Sequence, residues 1–298
     1  MPIKTQGDLP AKVILESENI FIMDEEQARS QNIRPLEILI LNLMPNREET
    51  ETQLLRALSN TPIPVECTFM TMESFEPGEL CGHFPCSRLN KPYVVFDDIR
   101  GRQFDGMVIT DAPLEDQDFE EVDIWEKLTE ILKWSETHVN SVIYQSWSAQ
   151  AGLSYHYGIP KHVMKSKLFG VYSHKVLDKR SPLVRGFDDS FFVPHSRSTQ
   201  VRREDIEKHS DLMILAESRD AGVFLVMSRD GRQIYVLGHP EYDRLTLDNE
   251  YHRDLRAGLN PQLPFGYYEN DDPDNIPPLT WRSHGNLLYM NWLTFYLY

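Results

Sequence analysis

The feature that most restricts the fold of this 298-residue chain is a repeated change of period, in which short apolar runs of strand type alternate with stretches whose apolar residues recur at helical spacing. Glu37 to Leu43 (EILILNL) reads as a strand and is followed by MPNREETETQLLRAL, where Pro45 opens a helix with Leu54, Leu55 and Leu58 on one face. VECTFMTM (65–72) and GMVITDA (106–112) are further strands, the second of them central. IWEKLTEILKWSE then places Ile124, Leu128, Ile131 and Leu132 at helical spacing, a face suited to packing on a sheet. This alternation predicts an α/β fold with a mixed, largely parallel sheet flanked by helices. Later the pattern changes, with LMILAES (212–218), GVFLVMS (222–228) and QIYVLGH (233–239) so close together that an antiparallel extension is expected. Residues 73–103 and GYYENDDPDNIPP (266–278) read as long loops. We expect a single domain over residues 1–298, with an N-terminal extension (1–35) and a C-terminal segment (260–298) packed on it. The aromatic C-terminal stretch LLYMNWLTFYLY has helical spacing and fits core or subunit contact, which suits a homodimer.

Charge narrows the partners. With 30 basic and 46 acidic residues the formal net charge is -16, a field that repels nucleic acid and anionic lipid and leaves small molecules as the expected ligands. No apolar run approaches the roughly 20 residues of a membrane helix, and the start MPIKTQGDLP has no signal-like core, so a cytoplasmic protein is expected. Cys67, Cys81 and Cys86 fit reduced thiols, and the C-x4-C spacing in ELCGHFPC lacks a second ligand pair, so no metal is expected.

The chemistry concentrates in SVIYQSWSAQA (141–151), where an apolar strand runs through a small polar turn into a helix. Such a strained elbow lifts one side chain, here Ser146, above the sheet and leaves N–H groups at the helix start free to stabilise an oxyanion. The strand QIYVLG ends at His239, with Glu241 two residues on, so one strand end can supply base and orienter. Against this stands the commoner use of a serine before a helix, which is to cap it.

Several longer phrases carry a resemblance: IRPLEILILNLMP, ITDAP, SWSAQAGL, FDDSFFVPHSR, GHPEYD and WRSHGNLLYMNWL, running in order from end to end. They resemble the MetA-type homoserine O-acyltransferases, the homoserine O-succinyl- and O-acetyltransferases, whose fold is similar to class I glutamine amidotransferases (flavodoxin-like). The resemblance implies acyl transfer from acyl-CoA to the homoserine hydroxyl through an enzyme-bound acyl group, an early step of methionine synthesis, with acetyl-CoA as co-substrate and no resident cofactor. It puts the nucleophile at Ser146, the base at His239 and the supporting acid at Glu241. Lys167, Ser196 and Arg253 become contacts to the amino-acid substrate, Arg253 being suited to a carboxylate. Donor choice falls on Glu115, whose carboxylate would repel a succinyl carboxylate by roughly 1 to 4 kcal/mol at about 4 Å. Acetyl-CoA is thereby the expected donor. The alternative is a Glu115 that belongs to the acidic run through Asp123 and faces water.

Three residues depart from that family's pattern: Ser146 stands before Trp147 where a cysteine is usual, Asp111 stands at a glycine of the loop expected to contribute to the oxyanion hole, and Arg47 follows Asn46 where a lysine pair or Thr-Lys is usual. A serine hydroxyl depends on its base far more than a thiol does, and its acyl ester is less activated than a thioester. A carboxylate at 111 would oppose an oxyanion unless the loop rearranges or the carboxylate has another task. The leading expectation is an O-acetyltransferase acting on homoserine or a similar amino acid such as serine. A binding or regulatory paralogue without turnover, and a related transferase or hydrolase with another substrate, are the alternatives.

Overall fold

A computed structural model describes residues 3–5, 10–18, 20, 34–72, 80–81, 84–85 and 93–298. Cys86 and most of the expected N-terminal extension lie outside the described residues. In chain order the described strands are β1 (Ile3–Thr5), β2 (Leu36–Leu41), β3 (Val65–Thr71), β4 (Leu80–Cys81), β5 (Phe84–Pro85), β6 (Tyr93–Val95), β7 (Phe104–Ile109) and β8 (Val139–Gln145). They continue with β9 (His162–Val176), β10 (Ser190–Gln200), β11 (Leu212–Ser218), β12 (Gly222–Ser228) and β13 (Gln233–Val236). The main sheet runs β1-β3-β2-β7-β8-β13-β12-β11-β9-β10, with β6 also on β3.

Every pairing from β1 to β13 along that order is parallel, and every pairing from β13 to β10 is antiparallel. The expected mixed sheet is therefore present, with β7 central in its parallel half. Helices Arg47–Leu58 and Trp125–His138 link the parallel neighbours β2–β3 and β7–β8, while Trp147–Tyr157 leads from β8 to β9 in the antiparallel part, and the apolar side chains of the sheet divide between two large buried clusters, one on each face. Leu54, Leu55 and Leu58 are fully buried in one cluster, and Leu128, Ile131 and Leu132 in the other.

Sequence reading misses β9 and β10, the two longest strands. Burial along β9 switches from polar and exposed at Lys165–Lys167 to continuous and buried over Leu168–Tyr172 and then to alternation, so no single strand pattern dominates. The long loop expected at 73–103 holds, in its described part, β4 to β6 and a short helix, Phe96–Ile99. The helix expected to open at Pro45 begins two residues later at Arg47, with Glu48 and Glu49 in its first turn and Arg56 in its last, which suits the helix dipole.

The C-terminal aromatic stretch forms helix Arg282–Trp292 and a wider π turn, Leu293–Leu297. Leu288, Tyr289, Trp292 and Leu293 are completely buried in this chain's own core. Gly106 of β7 makes room for them: a Cβ there would lie 2.6 Å from Leu297 and 2.7 Å from Trp292. Much of the apolar C-terminal stretch is thus packed inside the chain, while Phe295 and Tyr298 remain exposed. No helix among the described residues is long and apolar enough to cross a membrane.

Candidate active site

The carboxyl ends of β7, β8 and β13 face the same edge of the parallel sheet, where α/β folds place their chemistry. Ser146 follows β8 directly and precedes helix Trp147–Tyr157. Its backbone sits at φ 49° and ψ -112°, a positive φ that costs a non-glycine residue about 1 to 3 kcal/mol. Neighbours hold it there: the Ser146 N–H donates to Val236 O at 2.7 Å, tying the elbow to β13. Gly152 lets the helix settle close, since a Cβ at 152 would lie 2.9 Å from the Tyr144 and Tyr235 rings. The hydroxyl makes no capping bond. It is buried and forms no hydrogen bond of normal geometry.

His239 lies three residues past β13, its N–H donated to Pro194 O at 2.9 Å and its ring stacked on Tyr242 at 4.1 Å. Nδ1 meets Glu241 Oε1 at 2.9 Å. A carboxylate only accepts, so this contact puts a proton on Nδ1 and leaves Nε2 for chemistry. Nε2 has no hydrogen bond either, and Ser146 Oγ is not bonded to it. Asp111 Oδ2 stands 3.7 Å from Nε2 instead. Burial opposes the imidazolium, but the carboxylates of Glu241, Asp111 and Glu250 outweigh it, and the His239 pKa is raised.

Asp111, just past β7, accepts the N–H of Trp147 on Oδ1 at 2.8 Å. Its own φ is not in the left-handed region, so the loop carries the side chain without strain. Burial raises its pKa, against the opposing pull of His239 and of the Trp147 and Ala112 N–H groups. Ser146 Oγ is near enough to favour the carboxylate as well, although the two make no hydrogen bond of normal geometry. The Trp147 ring is fully buried, edge-on to Phe119.

Glu115 does not simply face water. Its Oε2 accepts the Ser198 N–H at 2.6 Å, and burial pushes its pKa to about 7, with the charges of Asp111, Arg197 and His239 close enough to act on it. Lys167, Ser196 and Arg253, from β9, β10 and helix Thr246–Arg256, converge on one side chain that sequence reading missed, Glu250. Its Oε1 takes Lys167 Nζ at 2.5 Å and the Ser196 hydroxyl at 2.8 Å, with Arg253 Nη2 at 3.7 Å. A carboxylate three residues before Arg253 on a helix is the local signal for it. Arg47 stands apart from this group, bonded to Thr71 and lying 5.1 Å over the Tyr93 ring.

His195 and Arg197 flank Ser196 on β10. His195 stacks on His174 at 5.0 Å, and Arg197 is spent on the carbonyls of Thr199 and Ala221. His284 packs on Phe187 and Phe191 with Asp188 at 3.2 Å. A cavity of about 50 Å³ reaches Thr110, Asp111, Gln145, His239 and Glu241. A larger cleft of about 480 Å³ lies near Arg180, Arg229 and Tyr296, at the other end of β13, and contains none of these residues.

A parallel sheet with an antiparallel continuation, a strained elbow after one strand and a His–Glu pair after the next define a glutamine amidotransferase-like α/β protein. Solved structures agree on the fold. A glutamine amidotransferase from Thermotoga maritima superposes with a TM-score of 0.57 at 9% identity, covering 87% of this chain and 97% of that one. Another, from Methylobacillus flagellatus, gives 0.54 at 11% identity, covering 88% and 95%. The chain belongs to the homoserine O-succinyltransferase family, whose model matches residues 2–298. Among its relatives, the homoserine O-acetyltransferase of Agathobacter rectalis is 58% identical over all of this chain and 95% of that one. Those of Geobacillus kaustophilus and Bacteroides thetaiotaomicron are 56% and 50% identical, again over the whole of this chain and 97% and 96% of theirs.

Proposed function

We propose that this protein moves an acetyl group from acetyl-CoA to the hydroxyl of homoserine, in the cytoplasm, through an ester on Ser146. The observation that carries the reading is the strained Ser146 elbow beside a buried His239–Glu241 pair, in a chain whose full-length relatives at 50–58% identity are homoserine O-acetyltransferases. Ser146 Oγ attacks the thioester carbonyl while its proton passes to His239 Nε2. Collapse breaks the carbon–sulfur bond, and the CoA sulfur leaves with that proton. The homoserine hydroxyl then attacks the ester, giving its proton to Nε2, and Ser146 departs with it.

Arg253 and Lys167 supply positive charge for the substrate carboxylate, and Glu250, with Ser196, supplies a carboxylate and hydroxyl for its amino group. Glu115 selects acetyl over succinyl by occupying and charging the far end of the acyl site. The test is CoA release with acetyl-CoA and homoserine, alongside the intact mass of the protein after brief exposure to acetyl-CoA alone. An acetyl adduct present in wild type and absent in Ser146→Ala supports the reading; no adduct and no CoA release, in wild type and Ser146→Cys alike, removes it.

A second reading is favoured by one specific observation: Ser146 and His239 are not hydrogen-bonded and Asp111 stands beside both. In it the protein binds the amino acid without turnover. Calorimetry separates the two, since heat with homoserine and none with acetyl-CoA belongs to the binding protein alone.

A further inference from the structure

Asp111 is a charged side chain at the centre that the acyl-transfer steps leave without a task. At a strand-to-helix elbow, the N–H of the residue after the nucleophile is aimed at the oxygen that becomes negative when the nucleophile adds to a carbonyl. Here that donor is Trp147 N–H, and it already has an acceptor in Asp111 Oδ1 at 2.8 Å. The Ala112 N–H faces the same carboxylate. We propose that the Asp111 carboxylate is the resident occupant of the oxyanion site, so that this is the closed form of the acyl-transfer centre and Asp111 must swing out before Ser146 can be acylated. The inference rests on Ser146 being the nucleophile, and it adds what holds that nucleophile idle.

Charge and position support it together. A carboxylate oxygen and a tetrahedral oxyanion carry the same charge and seek the same donor, so they exclude one another. The other oxygen, Oδ2, is 3.7 Å from His239 Nε2, which places the imidazole between the carboxylates of Asp111 and Glu241. Carboxylates on both sides favour the charged imidazole, which makes Nε2 a poorer acceptor for the Ser146 proton. Glu250 and Glu115 act on the same ring and acid without supplying a further cation at the centre. Withdrawing one side chain therefore frees both the donor and the base.

Space points the same way. The cavity reaching the centre is about 50 Å³, well below the roughly 150 Å³ that accepts a benzene ring, and so too small for an acyl group and its carrier arm. The Asp111 side chain keeps 17% of its surface exposed and its backbone is unstrained, so it can leave by rotating rather than by refolding the loop.

The experiment compares the full-length wild type with Asp111→Gly and Asp111→Ala, each also combined with Ser146→Ala, using a fluorophosphonate probe followed by intact mass. Ser146 Oγ attacks phosphorus, fluoride leaves, the serine proton passes to His239, and the phosphonyl oxygen takes the oxyanion site. Labelling at least about tenfold faster than wild type in both single variants, and absent in both double variants, is the expected result. Two substitutions of different backbone freedom, each checked by thermal melting, guard against one failing to fold. Labelling no faster than wild type in either single variant overturns the proposal, and slower labelling would mean that Asp111 assists. Faster labelling with no CoA release from any variant keeps the occupied site and removes acetyl transfer. Brisk CoA release by wild type with unaccelerated labelling does the reverse.

Discussion

Lys167 Nζ reaches Glu250 Oε1 at 2.5 Å across 83 residues of sequence, and the same oxygen takes the hydroxyl of Ser196. One helix carboxylate thereby sets the positions of two side chains from two antiparallel strands. Removing its charge should loosen the amino-acid site, with a lesser effect on the acyl centre through its field at His239. Glu250→Gln is expected to raise KM for homoserine about tenfold, the loss of roughly 1.4 kcal/mol, with a smaller change in kcat. Steady-state kinetics at saturating acetyl-CoA will show whether the loss falls on KM.

Glu241 should matter through His239. Replacing an orienting carboxylate of this kind costs on the order of 10⁴-fold in kcat, and Glu241→Gln is predicted to lose that much. The pH profile supplies an independent readout. Acylation needs neutral Nε2, so in wild type it should rise with pH to a midpoint above the ordinary imidazole value of about 6.5, because the surrounding carboxylates raise the His239 pKa. Loss of the Glu241 charge removes part of that effect, and the midpoint should move to lower pH. A midpoint that stays put in the variant would separate Glu241 from the base.

Donor choice should turn on Glu115. Glu115→Gly removes both bulk and charge, and succinyl-CoA should gain at least about tenfold relative to acetyl-CoA, within the 1 to 4 kcal/mol of a close anion pair. Burial places the wild-type Glu115 pKa at about 7, so discrimination against succinyl-CoA should sharpen as pH rises through 7 and fade below it, as the carboxylate is neutralised. A ratio of kcat/KM values that ignores pH would leave only crowding.

Ser146→Cys should be the more reactive protein, since a thiol is partly ionised near neutral pH and its acyl thioester is better activated toward a hydroxyl. Faster CoA release than wild type is expected, while Ser146→Ala should lose the acyl adduct entirely. Intact mass and a thiol assay of CoA release give both answers from the same samples.

Gly106→Ala tests the seat of the C-terminal segment. The new methyl would meet Leu297 and Trp292 at 2.6 to 2.7 Å. Overpacking of about 1 to 3 kcal/mol exceeds the roughly 0.5 to 1 kcal/mol gained by replacing a strand glycine. A lower Tm by a few degrees is the expected outcome of a thermal melt, and an unchanged Tm would mean the C-terminal turn gives way freely.

The sheet was legible because burial of both faces writes itself into local sequence: Leu54, Leu55 and Leu58 at helical spacing, GVFLVMS and LMILAES as strands, and the elbow at Ser146 all follow from neighbours along the chain. β9 and β10 were not legible, since part of β9 is polar and exposed and its register is set by β10 and β11. The sequence by itself determined the mixed sheet, the residue types at the centre and which strand ends would carry them. Only the tertiary structure decided that Asp111 takes the Trp147 N–H, that Ser146 and His239 stand unbonded, and that Lys167, Ser196 and Arg253 gather on Glu250. Hydrogen bonds and charge depend on ångström distances between segments remote in the chain, and no local periodicity encodes those distances.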